Sequence, residues 1–428
     1  MLLGVTLNFE MQDHGPRITD PEPRITGLLC YSDGFIGRGF CWVLLILRTI
    51  SFSLTFIIKD TIHNREITMK RLDRLRASMR EQSVDLVVLG VGAHLAWLTG
   101  LRPHADERPL LLCITQSYTG FLMPALEVDS ARQHTDLPFH PWDDDQGPNV
   151  AFAELLIVSG GGKAQSIVLD ETMRADFAAL VQDALPGRAS QFTSTTVGAL
   201  RMRKDPDEYS VLKRNARTAD FAMKAAWDAM RVGMSENDVA GVVRSAFKEQ
   251  GATPLFYIVG AGANGAFPHH HTGETVIKPG DAVVMDIGGA MDGYSSDMTR
   301  MAVMGKVPEG YQAVHEIVER AVQAGIAVAK PGVRAHVVDD AARGIIAAAG
   351  YGEYFLHRTG HGIGIEVHET PYITASSQTV LEEGMVFSIE PGIYLPDRFG
   401  IRLEDIVILR KDGPEILSDL PRDLKVIR

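Results

Sequence analysis

Regular alternation of apolar and polar positions begins at Met69. MKRLDRLRASMREQSVDLVVL reads as an amphipathic helix over Lys70–Gln82 and then a buried strand, Asp85–Leu89. Leu110–Thr115 and Tyr118–Met123 are two further strands, turned by polar Gln116-Ser117. Ser166–Leu169 is another, followed by a helix over Met173–Ala184. Helices alternating with apolar strands predict an α/β domain over 69–200. The charged stretch RMRKDPDEYSVLKRN (201–215) reads as a linker that turns into a helix. Asp205 or Asp207 stands at its start, and it runs to about Met230. A second helix is predicted over 235–250, where Ser235 and Asp238 have the spacing of an N-terminal cap. After Thr253 the chain is rich in strand formers and glycine. Two long helices follow at about 309–329 and 335–349, and strands return from about 385 to 410. Helix pairs alternating with strands predict an α+β domain over 201–428, its helices on one face of a curved, mostly antiparallel sheet.

Residues 1–68 break this pattern. Residues 1–38 are rich in Pro, Gly and Asp and show no period, and Phe40–Ile58 is almost wholly apolar except for Arg48. That segment (40–58) has nearly the roughly 20 residues a bilayer span needs. Arg48 at its centre opposes insertion, and the segment lies too far from the N-terminus for an ordinary signal peptide. Basic residues are denser after it (Lys59, Arg65, Lys70, Arg71, Arg74) than before it, so a real span would leave the main body in the cytoplasm. The expectation is an N-terminal extension outside the fold, with the first folded residue near Met69. Membrane contact arises only if 40–58 is a true span.

The net charge of −12, with no stripe of Lys or Arg, excludes nucleic acid as a partner class. Three cysteines (Cys30, Cys41, Cys113), an odd number with no CxxC, fit a reducing, cytoplasmic setting.

Five side chains carry candidate chemistry: Asp286, Asp297, His361, Glu390 and Glu404. Asp286 closes the strand Ala282–Asp286 and precedes Ile-Gly-Gly, where glycine would let backbone come close to a metal. Asp297 lies eleven residues on, before the strand Met298–Val303, and an odd separation across a hairpin lets both carboxylates share one face. His361 is flanked by Gly360, Gly362 and Gly364. Glu390 ends the apolar strand Met385–Ile389, where an unpaired charge is expensive. Alternation in GIRLED puts Arg402 and Glu404 on one face and Leu403 on the other. Taken singly, the aspartates could be turn formers, the histidine a core residue and Glu404 half of a salt bridge. Together, four carboxylates and an imidazole form a ligand set for two hard or borderline divalent metals, which hydrolyse amides. His94, His104, His134 and His140, by contrast, read as surface or loop histidines.

In the order Asp, Asp, His, Glu, Glu, and in the motifs GHGIGIEVHE and EPGIYLPDRFGIRLED, the chain resembles the pita-bread metallopeptidases, which include Xaa-Pro dipeptidase and aminopeptidase P. The resemblance covers about 205–428 closely and 69–200 more loosely, as a creatinase/prolidase-type N-terminal domain. It implies a pita-bread catalytic domain that hydrolyses Xaa-Pro bonds in a peptide or dipeptide by a hydroxide bridging two metals. Asp286 would chelate one metal, His361 and Glu390 the other, with Asp297 and Glu404 bridging both. Glu390 would also shuttle the proton. His269 and His368 match the family's two substrate-facing histidines, the second stabilising the tetrahedral intermediate. His357 and Tyr394 fall on positions lining the site, and Arg402 would bind a substrate carboxylate or hold Glu404. Manganese leads among the metals implied, with cobalt, iron and zinc behind it, and a homodimer is expected. Other readings on the same scaffold are an ectoine hydrolase, a dimethylsulfoniopropionate lyase, or a non-catalytic binding module.

Overall fold

The computed structural model describes residues 65–428, so the apolar segment 40–58 and nearly all of the expected extension lie outside the described residues. The first helix, α1, already covers 65–81, four residues ahead of Met69. No helix among the described residues is long and apolar enough to cross a membrane.

The N-terminal region continues with β1 (Leu86–Leu89), α2 (Ala93–Thr99), β2 (Leu111–Ile114), β3 (Thr119–Pro124), α3 (Ala125–Ala131), β4 (Phe139–Trp142), α4 (Asn149–Ser159), β5 (Ser166–Leu169), α5 (Ala175–Ala184), β6 (Ala189–Phe192) and α6 (Val197–Met202). One six-stranded mixed sheet runs β4-β3-β2-β1-β5-β6. Its centre, β1, is apolar on both faces. Val87 and Leu89 enter one core with Leu72, Leu75 and Met79 of α1, and Leu86 and Val88 enter another with Phe152 and Leu155 of α4. Two-residue alternation thus divides a single strand between two helical layers.

Two capping boxes open the next pair of helices. In α7 (Pro206–Ala229) the Asp205 side chain accepts from Glu208 N–H and Glu208 reaches back to Asp205 N–H; in α8 (Glu236–Glu249) Ser235 and Asp238 do the same. The α7 start is also tied to the N-terminal region. Arg71 pairs with Asp205 at 2.9 Å, and Trp97 Nε1 donates to Glu208 Oε1 at 3.0 Å.

The strands that follow are β7 (Thr253–Ala261), β8 (Ala282–Met291), β9 (Tyr294–Ser295) and β10 (Met298–Met304). After α9 (Tyr311–Val328) and α10 (Ala335–Ala348) come β11 (Gly360–Gly362), β12 (Glu369–Ile373), β13 (Val386–Ile389), β14 (Gly392–Leu395), β15 (Phe399–Arg402), β16 (Asp405–Arg410), β17 (Gly413–Ile416) and β18 (Val426–Ile427). The expected single curved sheet is divided into β18-β10-β8-β7, with β9 on β8, into β12-β11-β13-β16-β17, and into the ribbon β14-β15. The break has a local cause. The β13–β16 ladder ends at Ile389↔Asp405 and the β14–β15 ladder begins at Gly392↔Arg402. Glu390-Pro391 and Leu403-Glu404 therefore face each other in the gap, and Pro391 has no N–H to continue a ladder. Helices α7 and α8 cover Val283, Met285 and Ile287 of β8, while α9 and α10 share a core with Phe387, Ile389, Leu403 and Val407.

Asp286 stands in the middle of β8 rather than at its end, because the strand continues through Gly288 and Gly289 to Met291. Those glycines serve packing. A Cβ on Gly288 would meet the Phe256 ring and the Ser296 carbonyl, and one on Gly289 would meet the Phe247 ring. Gly360 is likewise a strand-to-strand contact, since a Cβ there would overlap the Ser388 carbonyl of β13. Replacing Gly360 by Ala should push β11 from β13 and lower stability by about 1–3 kcal/mol. An unchanged denaturation midpoint would show that the strands do not approach this closely.

Candidate metal centre

Each of the five residues is delivered by strand geometry. Asp286 shares a face of β8 with Ala282 and Val284, opposite the side covered by α7 and α8. Register pairs Asp286 with Thr299 and Ile287 with Met298. Asp297 is two residues before Thr299 and joins the same face. His361 is the middle residue of β11, 2% exposed. Glu390 and Glu404 enter from the gap between the two ladders.

Side-chain oxygens of Asp286, Asp297 and Glu404 lie within 4.8 Å of one another, and so do ligand atoms of His361, Glu390 and Glu404. His361 Nε2 is 3.2 Å from Glu390 Oε1 and 3.5 Å from Asp297 Oδ2. His361 Nδ1 faces the Gly362 carbonyl at 3.0 Å. A proton held there would let Nε2, which faces Glu390 in the metal-free site, give up its own proton and offer a lone pair to a metal ion. Ser388 Oγ accepts the His361 backbone N–H at 2.9 Å and donates to Glu390 Oε1 at 3.0 Å, which ties the His361 main chain and the Glu390 carboxylate to one hydroxyl.

The electrostatics are those of crowded acids. Burial, and then Glu404 and Asp286, raise Asp297 well above the usual carboxylate range. Burial, and then Glu390 and Asp286, do the same to Glu404. Burial also opposes ionisation of Glu390, but the His361 hydrogen bond and charge outweigh it and hold this group at about 2. Asp286 Oδ1 and Glu404 Oε1 are buried and have no hydrogen-bond partner. Orphaned buried carboxylate oxygens are costly. Divalent cations satisfy such atoms, and an oxygen-rich set with one imidazole suits manganese, cobalt, iron or zinc. The residues present therefore fit the metals that the resemblance implies.

Around these lies a rigid frame. Arg402, 3% exposed, is committed within the protein. Its Nη2 pairs with Asp286 Oδ2, its Nε donates to Thr299 Oγ1 at 3.1 Å and its Nη1 to Tyr394 Oη at 2.7 Å. Thr299 Oγ1 donates in turn to Glu404 Oε2 at 2.8 Å. Arg402 thus holds Asp286 directly and Glu404 through Thr299, and its donors are spent there rather than on a substrate carboxylate. Tyr394 Oη is 2.7 Å from His357 Nε2, whose Nδ1 faces the Arg358 carbonyl at 2.7 Å. Burial lowers His357 to about 4 and raises Tyr394 to about 12, so both are neutral near pH 7. Buried Arg300 fixes the Glu404 backbone by donating to its carbonyl, and pairs with Asp405 at 2.8 Å.

A cavity of about 630 Å³ opens onto this centre. Phe256, Ile258 and Val367 give it apolar wall, and His269, His357 and His368 line it too. The His368 ring stands edge-on to His361 at 4.1 Å, and burial, then His361, lower its pKa to about 4.

Several organising residues escaped the sequence reading. Buried Glu236 accepts from Ala261 N–H and Asn264 Nδ2 at 2.9 Å each. It also accepts from Gly273 N–H at 3.1 Å and contacts His270 Nε2 at 2.8 Å, gathering the loop that carries His269. Arg201 and Lys204 both pair with buried Glu369, the residue after His368. His94 is buried rather than superficial, with Thr193 Oγ1 on Nε2 and Arg201 Nη1 on Nδ1, each at 3.1 Å. Its ligand atom lies within 4.8 Å of those of Asp170 and Glu171, but the cationic Arg201 occupies one ring nitrogen. Only the capping serine next to Glu236 hinted at any of this.

Comparison with known proteins agrees with this architecture. Residues 71–204 match the Creatinase/Prolidase N-terminal domain, and residues 210–411 match Metallopeptidase family M24. The chain is 34% identical to an Xaa-Pro dipeptidase of Lactobacillus helveticus over 362 residues, 83% of this chain and 98% of that one. It is 36% identical to the probable dipeptidase PepE of Mycobacterium tuberculosis over 369 residues, 85% of this chain and 97% of that one. Among solved structures, the dipeptidase PepE from Mycobacterium ulcerans superposes with a TM-score of 0.81 at 33% identity, covering 85% of this chain and 98% of its own. A prolidase from Thermococcus sibiricus gives 0.78 at 33%, covering 84% and 98%. With its two-part fold and its converging carboxylates matched over nearly the whole length of such relatives, the chain belongs to metallopeptidase family M24.

Proposed function

We propose that this protein is a metal-dependent Xaa-Pro dipeptidase holding two divalent ions, with manganese the leading candidate. Asp286 would serve one ion, His361 and Glu390 the other, and Asp297 and Glu404 both. The observation that carries this reading is the convergence of the five donors on two buried, unpartnered carboxylate oxygens, Asp286 Oδ1 and Glu404 Oε1, beside the cavity. The names of the relatives support the substrate class. A cytoplasmic homodimer completes the proposal, from the cysteine usage and the family resemblance respectively.

When bound, the ions would supply Lewis acidity and a lowered pKa for water near neutral pH. The chain's own residues do the rest. Glu390, ionised down to about pH 2 in the metal-free site, is the base that takes a proton from the attacking water. It then returns that proton to the leaving imide nitrogen, which in Xaa-Pro carries no hydrogen of its own. His368, neutral near pH 7, donates a hydrogen bond to the carbonyl oxygen as charge develops there, and His269 lines the same cavity. Phe256, Ile258 and Val367 give the pyrrolidine ring an apolar wall.

A substrate panel with manganese-loaded protein tests the reading. Xaa-Pro dipeptides should be hydrolysed, while Met-peptides and ectoine should not. Turnover of ectoine or dimethylsulfoniopropionate without peptide hydrolysis would replace it, and preferential cleavage of longer Xaa-Pro peptides would move it to aminopeptidase P.

Glu390→Gln should lower kcat by roughly 100- to 10,000-fold with unchanged circular dichroism. Metal analysis of the same sample separates a lost base from a lost ligand. Retained turnover would remove Glu390 from the role.

Metal binding should also release protons. The raised Asp297 and Glu404 hold protons above the usual carboxylate range, and a cation must displace them. Affinity should therefore fall as pH falls, and titration of manganese into weakly buffered metal-free protein should acidify the solution. The same two groups favour the metal-free fold as pH drops, because the folded state binds more protons, whereas Glu390 works in the opposite sense below its ordinary pKa. A titration with no proton release would contradict this assignment.

A further inference from the structure

His368 lines the cavity, yet among the described residues no hydrogen bond holds its ring, which stands edge-on to His361. Such a ring is placed by its own backbone and by packing. That backbone is fixed one residue on. Glu369 is buried and opens β12, and each of its carboxylate oxygens meets one buried cation: Oε2 the Arg201 guanidinium, Oε1 the Lys204 ammonium. Burial opposes ionisation of Glu369, but Lys204 and Arg201 outweigh it. The glycines of GHGIG leave room for this carboxylate. A Cβ on Gly364 would meet the carboxylate itself, and one on Gly362 would meet the Glu369 and Thr370 carbonyls. Arg201 also pairs with Glu366 at 3.0 Å, so one guanidinium holds both ends of the segment 366–369. Arg201 in turn belongs to α6, whose Val197 and Leu200 lie in one core with Val87 and Leu89 of β1. Its Nη1 donates to His94 Nδ1, and the Lys204 N–H donates to the Gly384 carbonyl at 2.8 Å.

From these observations we propose that Glu369 is a positioning residue for the reaction: clamped by Arg201 and Lys204, it sets the backbone from which His368 presents its ring to the substrate carbonyl. Through Arg201 the N-terminal region then takes part in catalysis rather than only packing. This rests on the role given to His368 under the Xaa-Pro reading above. The coupling is geometric. After burial, the charges that shift His368 most are those of His361, Arg358, Glu390 and His269. The Glu369 carboxylate, neutralised by two cations, adds no comparable field. A donor must stand at hydrogen-bond distance from the oxygen as charge develops there, and a misplacement of about 1 Å costs up to about 100-fold in rate. An ion triad that only joined two parts of the fold would stabilise them without any dependence on His368.

The test is a double-mutant cycle in manganese-loaded protein. Glu369→Gln and Lys204→Met are each made alone and together with His368→Ala, and kcat and KM for an Xaa-Pro dipeptide are measured beside the metal content. Glu369→Gln strands two buried cations, so Lys204→Met, which leaves Glu369 paired with Arg201, carries the test where the first variant is insoluble. Each should lower kcat by about 10- to 100-fold with KM and metal content little changed, and by less than about 3-fold once residue 368 is already alanine. The histidine ring signals of metal-free protein, followed by nuclear magnetic resonance and assigned through His368→Ala, give a readout free of turnover. Lys204→Met should shift or broaden the His368 signal and leave that of His336 on α10 in place. An unmoved His368 signal, an unchanged kcat, or an equal loss with and without His368 would overturn the inference while leaving the Xaa-Pro reading intact. If wild type hydrolyses no Xaa-Pro dipeptide, that reading fails and this inference falls with it.

Discussion

Four carboxylates gathered in one buried space repel one another, and much of the surrounding structure answers that repulsion. Asp297 and Glu404 are driven toward protonation by burial and by their neighbours. Glu390 escapes because His361 stands 3.2 Å away. Asp286 is met by Arg402, and Glu404 by Thr299, which is also bonded to Arg402. One guanidinium cannot neutralise four acids, and two carboxylate oxygens are left without a partner. This residual demand for positive charge is one that a divalent cation would meet and that a closed salt-bridge cluster would not leave.

The fold keeps the acids together by using strands as rulers. Alternation on β8 and β10 turns Asp286 and Asp297 to one side and core side chains to the other. The interruption between the β13–β16 and β14–β15 ladders then points Glu390 and Glu404 into the same space. Residues on both flanks of the gap remain core, as Ile389 and Leu403 show. The glutamates are therefore held by packed strands although neither belongs to a ladder. Outside this first layer, Glu369 ties the His368 strand to Arg201 and Lys204, and Glu236 gathers the His269 loop. His269 and His368 thus sit on segments anchored to buried carboxylates rather than on free loops.

Local pattern made a good part of this legible. The strand Ser166–Leu169, the Ser235–Asp238 cap and the α9–α10 pair follow from period and cap chemistry, which act within a few residues, whereas at α7 the reading left Asp205 and Asp207 both open and the structure caps on Asp205. Glu390 was visible because charge at the end of an apolar strand is anomalous, and the other four through their glycine neighbours, strand alternation and the motifs that carry the family resemblance. Where the reading went astray, a distant partner was responsible. The glycines after Asp286 looked like metal-side flexibility until Phe256 and Phe247 were found against them. Arg402 looked available to substrate until Asp286 and Tyr394 were found to consume it. His94 looked superficial because nothing nearby in sequence foretells Arg201 on its ring.

The sequence by itself determined the strongly periodic helices and strands, a two-part organisation and which side chains are chemically out of place, because periodicity, caps and burial preference are local properties, while short elements such as α2, α3 and β4 carried too little period to be read. Tertiary structure alone decided which charges neutralise each other, that the sheet breaks at the two glutamates, and that Arg201 and Lys204 meet at the residue next to His368. Pairing energy depends on distances between residues far apart in the chain, such as Arg201 and Glu369, separated by 168 positions, and no local rule carries that information.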